Sequence, residues 1–157
     1  MKSLQDLINV KDSAWPLIQQ WCDQGRNKME WMSPIQPQNE KVLTLLQITV
    51  RSPMGAIAYH SGGCFIHNRL IRLMGAGSNE IELSLTNSNG LSNNIKIHAI
   101  NGAFVVAYDV FGGFFAINSG RFNQTDRFVY YLSPDNLEWE STSKTYSDIL
   151  YLSLIHI

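Results

Sequence analysis

At Gly62-Gly63 the hydrophobic pattern of this chain changes period, and that switch restricts the fold more than any other feature. Before it, apolar residues recur at helical spacing; after it, they fall into short runs and alternations that suit strands. Helices first, strands after and a helical pattern at the close predict an α+β domain on an antiparallel sheet of about five to seven strands. The links between the strand runs are short, whereas parallel pairing needs crossovers of about a dozen residues or more.

The helical part divides at its caps. Ser3, with Asp6 three residues on, can start a turn that puts Leu4, Leu7 and Ile8 on one face. Asp12 or Ser13 can cap a second helix with Pro16 in its first turn, Trp15, Ile18, Trp21 and Cys22 on one face, and Gly25 at its end. Pro34 and Pro37 mark a loop, after which Asn39 is placed to cap a helix carrying Val42, Leu43, Leu45 and Leu46. Ser52-Pro53 opens a fourth helix that Gly62-Gly63 closes. Strands are predicted over 64–67 and 70–74, joined around Asn68-Arg69, then over 95–97, 103–108, 113–117, 128–132 and 137–140. The Gly-, Ser- and Asn-rich stretch 75–94 reads as a loop with one edge strand through Ile81, Leu83 and Leu85. Ser143 is the expected cap of a final helix through Tyr146, Ile149 and Leu150.

At 157 residues the chain fits one domain, expected over 1–152, with 153–157 as a non-native tail. A net charge of -1 and no basic cluster argue against nucleic acid and anionic membranes as partners. The most apolar stretch, 102–117, is interrupted by Asp109 and Gly112-Gly113 and is shorter than the ~20 residues of a spanning helix. Cys22 and Cys64 make no disulfide framework, so a cytoplasmic setting is the expectation.

Motifs for chemistry are sparse. Glu138 and Glu140, two apart in a predicted strand, would share a face about 7 Å apart, a spacing of interest for acid-base work on a glycosidic bond. Leu137 and Trp139 would then supply the buried face, leaving the carboxylates as a solvated one. Cys64 and His67 have ligand spacing but no second pair, and residues three apart in a strand point to opposite faces. His60, His98 and His156 have no evident partner, and Gly75-Ala76-Gly77-Ser78 lacks the lysine of a phosphate loop. No catalytic residue, cofactor or metal is therefore expected. Phe114 and Phe115 are adjacent, so one faces away from the other and becomes a contact point if that face meets solvent.

Residues 4–10, Ala14-Trp15-Pro16-Leu17, Arg51-Ser52-Pro53-Met54-Gly55-Ala56, 112–118, 130–140 and Tyr146-Ser147-Asp148 are similar to segments of a bacterial family, the domain of unknown function numbered 2625. The order of a helix ending in Gly-Gly, strands, a Gly-Gly-Phe-Phe-Ala-Ile-Asn strand, a Val-Tyr-Tyr strand and a closing helix resembles the SUKH superfamily more distantly. That resemblance implies an immunity-like factor that binds a partner toxin. Members of the first family continue beyond this point, and Ser153-Leu154-Ile155-His156-Ile157 resembles a translated sequencing adapter, so a truncated frame with part of its core open is expected. The functional expectation is a non-enzymatic protein-binding domain whose partner, such as a basic toxin, meets Asp135, Glu138, Trp139 and Glu140. Its rivals are a small hydrolase using Glu138 or Glu140 with His60 or His67, and a structural or oligomeric subunit.

Overall fold

A computed structural model describes residues 1–8, 11–92, 99–122 and 125–153. Helices α1 (Leu4–Ile8) and α2 (Trp15–Gln24), strand β1 (Glu30–Met32), and helices α3 (Gln38–Leu46) and α4 (Pro53–His60) come first. Strands β2 (Gly63–Ile66), β3 (Ile71–Met74), β4 (Ala103–Asp109), β5 (Phe114–Asn118), β6 (Phe128–Leu132) and β7 (Trp139–Thr145) follow, and α5 (Tyr146–Tyr151) closes the chain. The seven strands form one sheet in sequence order, every neighbour antiparallel. This is the predicted α+β architecture. Among the described residues no helix is long and apolar enough to cross a membrane.

The caps explain where most helices start. Ser3 Oγ accepts from the Asp6 amide while Asp6 accepts from the Ser3 amide, a reciprocal box. Ser52 Oγ accepts from Gly55 N at 3.0 Å, with Pro53 in the first turn. Three expectations are corrected. Ala14 occupies the cap position of α2, and Ser13, one residue before it, accepts from Trp15 N and donates to Val50 O. Asn39 lies inside α3 rather than at its cap, buried, with Nδ2 donating to Tyr59 O at 3.1 Å to tie α3 to α4. Thr145, not Ser143, caps α5, through a reciprocal box with Asp148; Ser143 belongs to β7 in a left-handed conformation.

One face of the sheet carries the helices. Register places Cys64, Ile66, Ile71, Leu73, Ala107, Phe115 and Tyr131 on it. Trp31, opposite Cys64, meets Trp15 of α2 edge-on at 5.1 Å, and Tyr146 and Leu150 of α5 join the same core. A smaller cluster of Leu7, Leu43 and Val50 fastens α1 to α3. On the opposite face Arg72 lies over the rings of Phe65 and Tyr108. Phe122, Tyr130 and Trp139 pack together farther along it.

The stretch between β3 and β4 differs from expectation. Residues 75–92 contain no strand; Ile81 and Leu85 are instead fully buried plugs. The predicted strand at 95–97 lies outside the described residues, as do His98 and His156. Asn89 takes the place of a neighbouring strand on β4: its Oδ1 accepts from Val105 N at 2.7 Å and its Nδ2 donates to Val105 O at 2.9 Å. Gly75 lets this loop cross the 61–63 segment, because a β-carbon there would lie 2.7 Å from Gly63 N and Ser61 O.

Candidate functional site at the hairpin tips

In an antiparallel meander, alternate turns share one end of the sheet. The β2–β3, β4–β5 and β6–β7 turns therefore lie together, and two contacts tie them. Val110 N donates to Leu70 O at 3.0 Å, and a β-carbon on Gly112 would lie 3.9 Å from Pro134 Cβ. Leu70, Val110, Phe111 and Leu137, all large and exposed, stand on these three turns. Phe111 is 71% exposed and Leu137 73%. Other exposed apolar side chains, such as Leu17, Ile35 and Leu45, are scattered over the helical part.

Local chemistry holds each tip in shape. Asp109 ends β4 and gathers the β4–β5 turn: its carboxylate accepts from Phe111 N at 2.9 Å, Gly113 N at 2.8 Å and the Tyr131 hydroxyl at 2.6 Å. Burial pushes this carboxyl up, but the Tyr131 hydroxyl and the turn amides together hold it below its ordinary range. The same hydrogen bond, with burial behind it, pushes the Tyr131 phenol up to about 12. Gly113 is required here, since a β-carbon would run into the Tyr131 ring. In the β2–β3 turn His67, Asn68 and Arg69 are consecutive left-handed residues. Arg69 stacks on Phe65 at 4.7 Å and bonds to Glu30 at 2.7 Å. The β6–β7 turn is closed by Leu137 N to Ser133 O at 2.9 Å and Ser133 N to Glu138 O at 3.1 Å. Leu137 in that turn has φ 57°, a left-handed conformation that is unfavourable for a bulky side chain.

The nominated residues fall partly on this edge. Asp135 and Glu138 are exposed in the β6–β7 turn, on either side of Leu137. Glu138 precedes β7, so the strand alternation invoked to pair it with Glu140 does not apply. Leu137 is exposed rather than part of a buried face, because the hairpin turns where a strand was expected. Trp139 is partly buried against Phe122 at 5.4 Å, and exposed Glu140 sits opposite Tyr131. Phe114 and Phe115 are both partly buried, packed on Tyr108 and Tyr131 respectively. Sequence reasoning missed Leu70, Val110, Phe111 and Leu137. The Val110-Phe111-Gly112-Gly113 run was the available signal, two apolar residues in front of a turn-forming pair.

His60 and His67 do not join the carboxylates. β2, which leads into His67, and β7 are five strand spacings apart, on the order of 24 Å. His60 stacks on Trp15 at 4.8 Å in an open cleft with Gln5, Ile8, Ser13, Val50 and Tyr59, and burial pulls its pKa down. Ser13 Oγ there is engaged with Trp15 N and Val50 O. Cys64 is buried and its thiol pushed up by that burial, while His67 lies beyond the strand. Among the described residues no three His, Cys, Asp or Glu side chains converge on a possible metal position. A polar pocket of about 180 Å³ is lined by Ser78, Ser84 and Asn87, whose side chains are taken up within their own loop.

Residues 4–156 match the family described as "Protein of unknown function DUF2625". The chain belongs to the DUF2625 family. It is 35% identical over 154 residues to the putative uncharacterized protein YbfG of Escherichia coli, covering 98% of this chain and 69% of that protein. It is 33% identical over 150 residues to an uncharacterized protein of Haemophilus influenzae, covering 96% of this chain and 66% of the relative. This DUF2625 chain thus spans about two thirds of the length of either relative. No solved structure is a significant match.

Proposed function

We propose that the chain is a protein-binding domain that docks its hairpin-tip edge onto a protein partner with an apolar recess and a basic rim. The observation that carries this reading is Leu137: a bulky residue held left-handed and 73% exposed, at the same end of the sheet as a Phe111 that is 71% exposed. Both arrangements cost free energy in the isolated chain, and strained or exposed apolar groups of this kind concentrate where another surface completes them. Asp135 and Glu138 flank Leu137, so the rim of the recess carries lysine or arginine. Trp139 and Glu140 stand behind this edge as support and outer rim. The immunity-like form of the reading, with a toxin as partner, is proposed from the SUKH-like order of elements.

The test is an affinity capture from native lysate with the wild-type chain and with a Phe111→Ser/Leu137→Asn variant, both confirmed folded by circular dichroism. A stoichiometric partner held by the first and lost by the second supports the edge, and Glu138→Lys/Glu140→Lys should weaken the same complex at least tenfold. Equal recovery by both proteins overturns it. A concentration-dependent homodimer that the variant abolishes would make the chain an oligomeric subunit instead.

A further inference from the structure

An apolar pocket of about 190 Å³ opens between the helix-bearing face of the sheet and α5. Ile66, Leu73, Val106, Phe115 and Val129 line it from the sheet, and Leu150 from α5. None of the exposed tip residues contributes to it. An apolar cavity of about 150 Å³ can hold a benzene-sized group, so this one has room for a single large side chain. Left empty, its lining forgoes the dispersion contacts of close packing.

One polar atom interrupts the apolar wall. Tyr146 also lines the pocket; it is 9% exposed, and its Oη is buried with no hydrogen-bond partner among the described residues. Buried hydroxyls are nearly always paired, and leaving one unpaired is costly. A purely apolar occupant would fill the volume and leave that hydroxyl stranded. A polypeptide brings both an apolar side chain and backbone polar groups. The chain leaving α5 borders the pocket. Ser153, the last described residue, lines the pocket, and its carbonyl accepts from Asn27 Nδ2 at 3.0 Å. No residue of α1, at the other end of the chain, lines it. The two relatives carry roughly a third of their length outside the matched part, since 69% and 66% of them are covered.

We propose that in the longer members of the family the segment following α5 folds back, seats an apolar side chain in this pocket and gives Tyr146 Oη its hydrogen-bond partner. The inference does not depend on the docking edge. It makes the pocket an internal acceptor site, and the helix above it a lid held by chain that follows.

The test compares the intact Escherichia coli relative, the same protein cut back to the position aligned with Ser153, and this chain, with indole as the probe. Indole should raise the midpoint of thermal unfolding of this chain and of the shortened relative, and leave the intact relative unchanged. In the intact relative, a bulky residue at the position aligned with Ala107 should expel the segment and speed limited proteolysis after α5 at least tenfold. Indole binding to the intact relative as strongly as to the shortened one would overturn the proposal and make the pocket a small-molecule site. A segment cleaved equally fast with and without the filling residue would overturn it too, as would a dimer of this chain that the filling residue abolishes. Should the filled variant fail to fold, the indole comparison alone decides.

Discussion

The loop before β4 and the hairpin tips invert the usual order of inside and outside, in opposite directions. In the loop, Ser78, Ser84, Thr86, Asn87, Ser88 and Asn89 are buried; at the tips, Phe111 and Leu137 are in solvent. The buried polar residues are compensated. Ser84 and Asn87 bond each other's backbone amides, and Asn89 satisfies both backbone groups of Val105 where the β3–β4 pairing has ended. The exposed apolar residues have no such compensation among the described residues. A polar group inside is therefore read as structure once its hydrogen bonds are found, and an apolar group outside points beyond the molecule.

The largest effect is expected where the compensation is removed. Asn89→Leu keeps the number and branching of the side-chain heavy atoms but strips Val105 N–H, Val105 C=O and Leu85 C=O of their partner. Each stranded group costs about 1–3 kcal/mol, so a loss of at least about 3 kcal/mol is expected in the unfolding free energy extrapolated from urea titration. A loss below about 1 kcal/mol would mean that β4 does not need this substitute strand, and the contrast between loop and tips would fail at its buried end.

A smaller effect is expected at the β4–β5 tip. Gly113→Ala pushes the Tyr131 ring away from Asp109, at about 2–3 kcal/mol for overpacking a fixed site. Stability unchanged in the alanine variant would show the ring free to move and the tip soft rather than set.

The pH dependence of the wild type reports on the same contact with a lesser amplitude. The Tyr131 phenol is raised to about 12 in the folded protein against about 10 unfolded, so its contribution is fully present below about pH 10 and fades as pH rises toward 12. Asp109 is lowered, so its contribution is present above the ordinary carboxylate range, about 4, and fades as pH falls through its folded value. Tyr108, Tyr130 and Tyr146 are also raised, by burial, so tyrosinate absorbance should show several late-titrating phenols in the wild type and one fewer in Asp109→Asn, as Tyr131 returns toward about 10. The same number of late phenols in both proteins would show that Asp109 does not hold Tyr131.

What was legible in the sequence follows the same division between local and distant causes. Ser52-Pro53 and the Gly62-Gly63 pair mark α4 and the change of period because caps and glycine conformations are set by neighbours in the chain. β4, β5 and β6 show themselves through apolar runs long enough to fill a core. β1 has only three residues and draws its pairing from β2, far along the chain, so no local pattern announces it. β7 continues through Ser141, Thr142 and Ser143 because an edge strand need not bury both sides, and this polar run hid its extent and the true cap at Thr145. The burial of 75–92 depends on pairings that arise only after the sheet exists. For the candidate edge, Asp135 and Glu138 were legible as charge, while the apolar residues that give it character needed the three turns brought to one end.

The smallest expected effect is the one most specific to the docking edge. Leu137→Asn replaces a bulky residue at φ 57° with one that tolerates the left-handed region and removes an exposed apolar side chain. The isolated chain should then be unchanged or more stable by about 0.5–1 kcal/mol, read from chemical unfolding, because the turn's hydrogen bonds from Leu137 N and Ser133 N are made by backbone and survive. Leu137→Gly would gain less, since glycine also frees the unfolded chain. Destabilisation by more than about 1 kcal/mol would show that Leu137 packs within its own chain and belongs with the loop rather than opposed to it. A neutral or stabilising change joined to loss of a captured partner would separate binding from folding at one side chain, because a residue that only held the turn together could not be removed without cost.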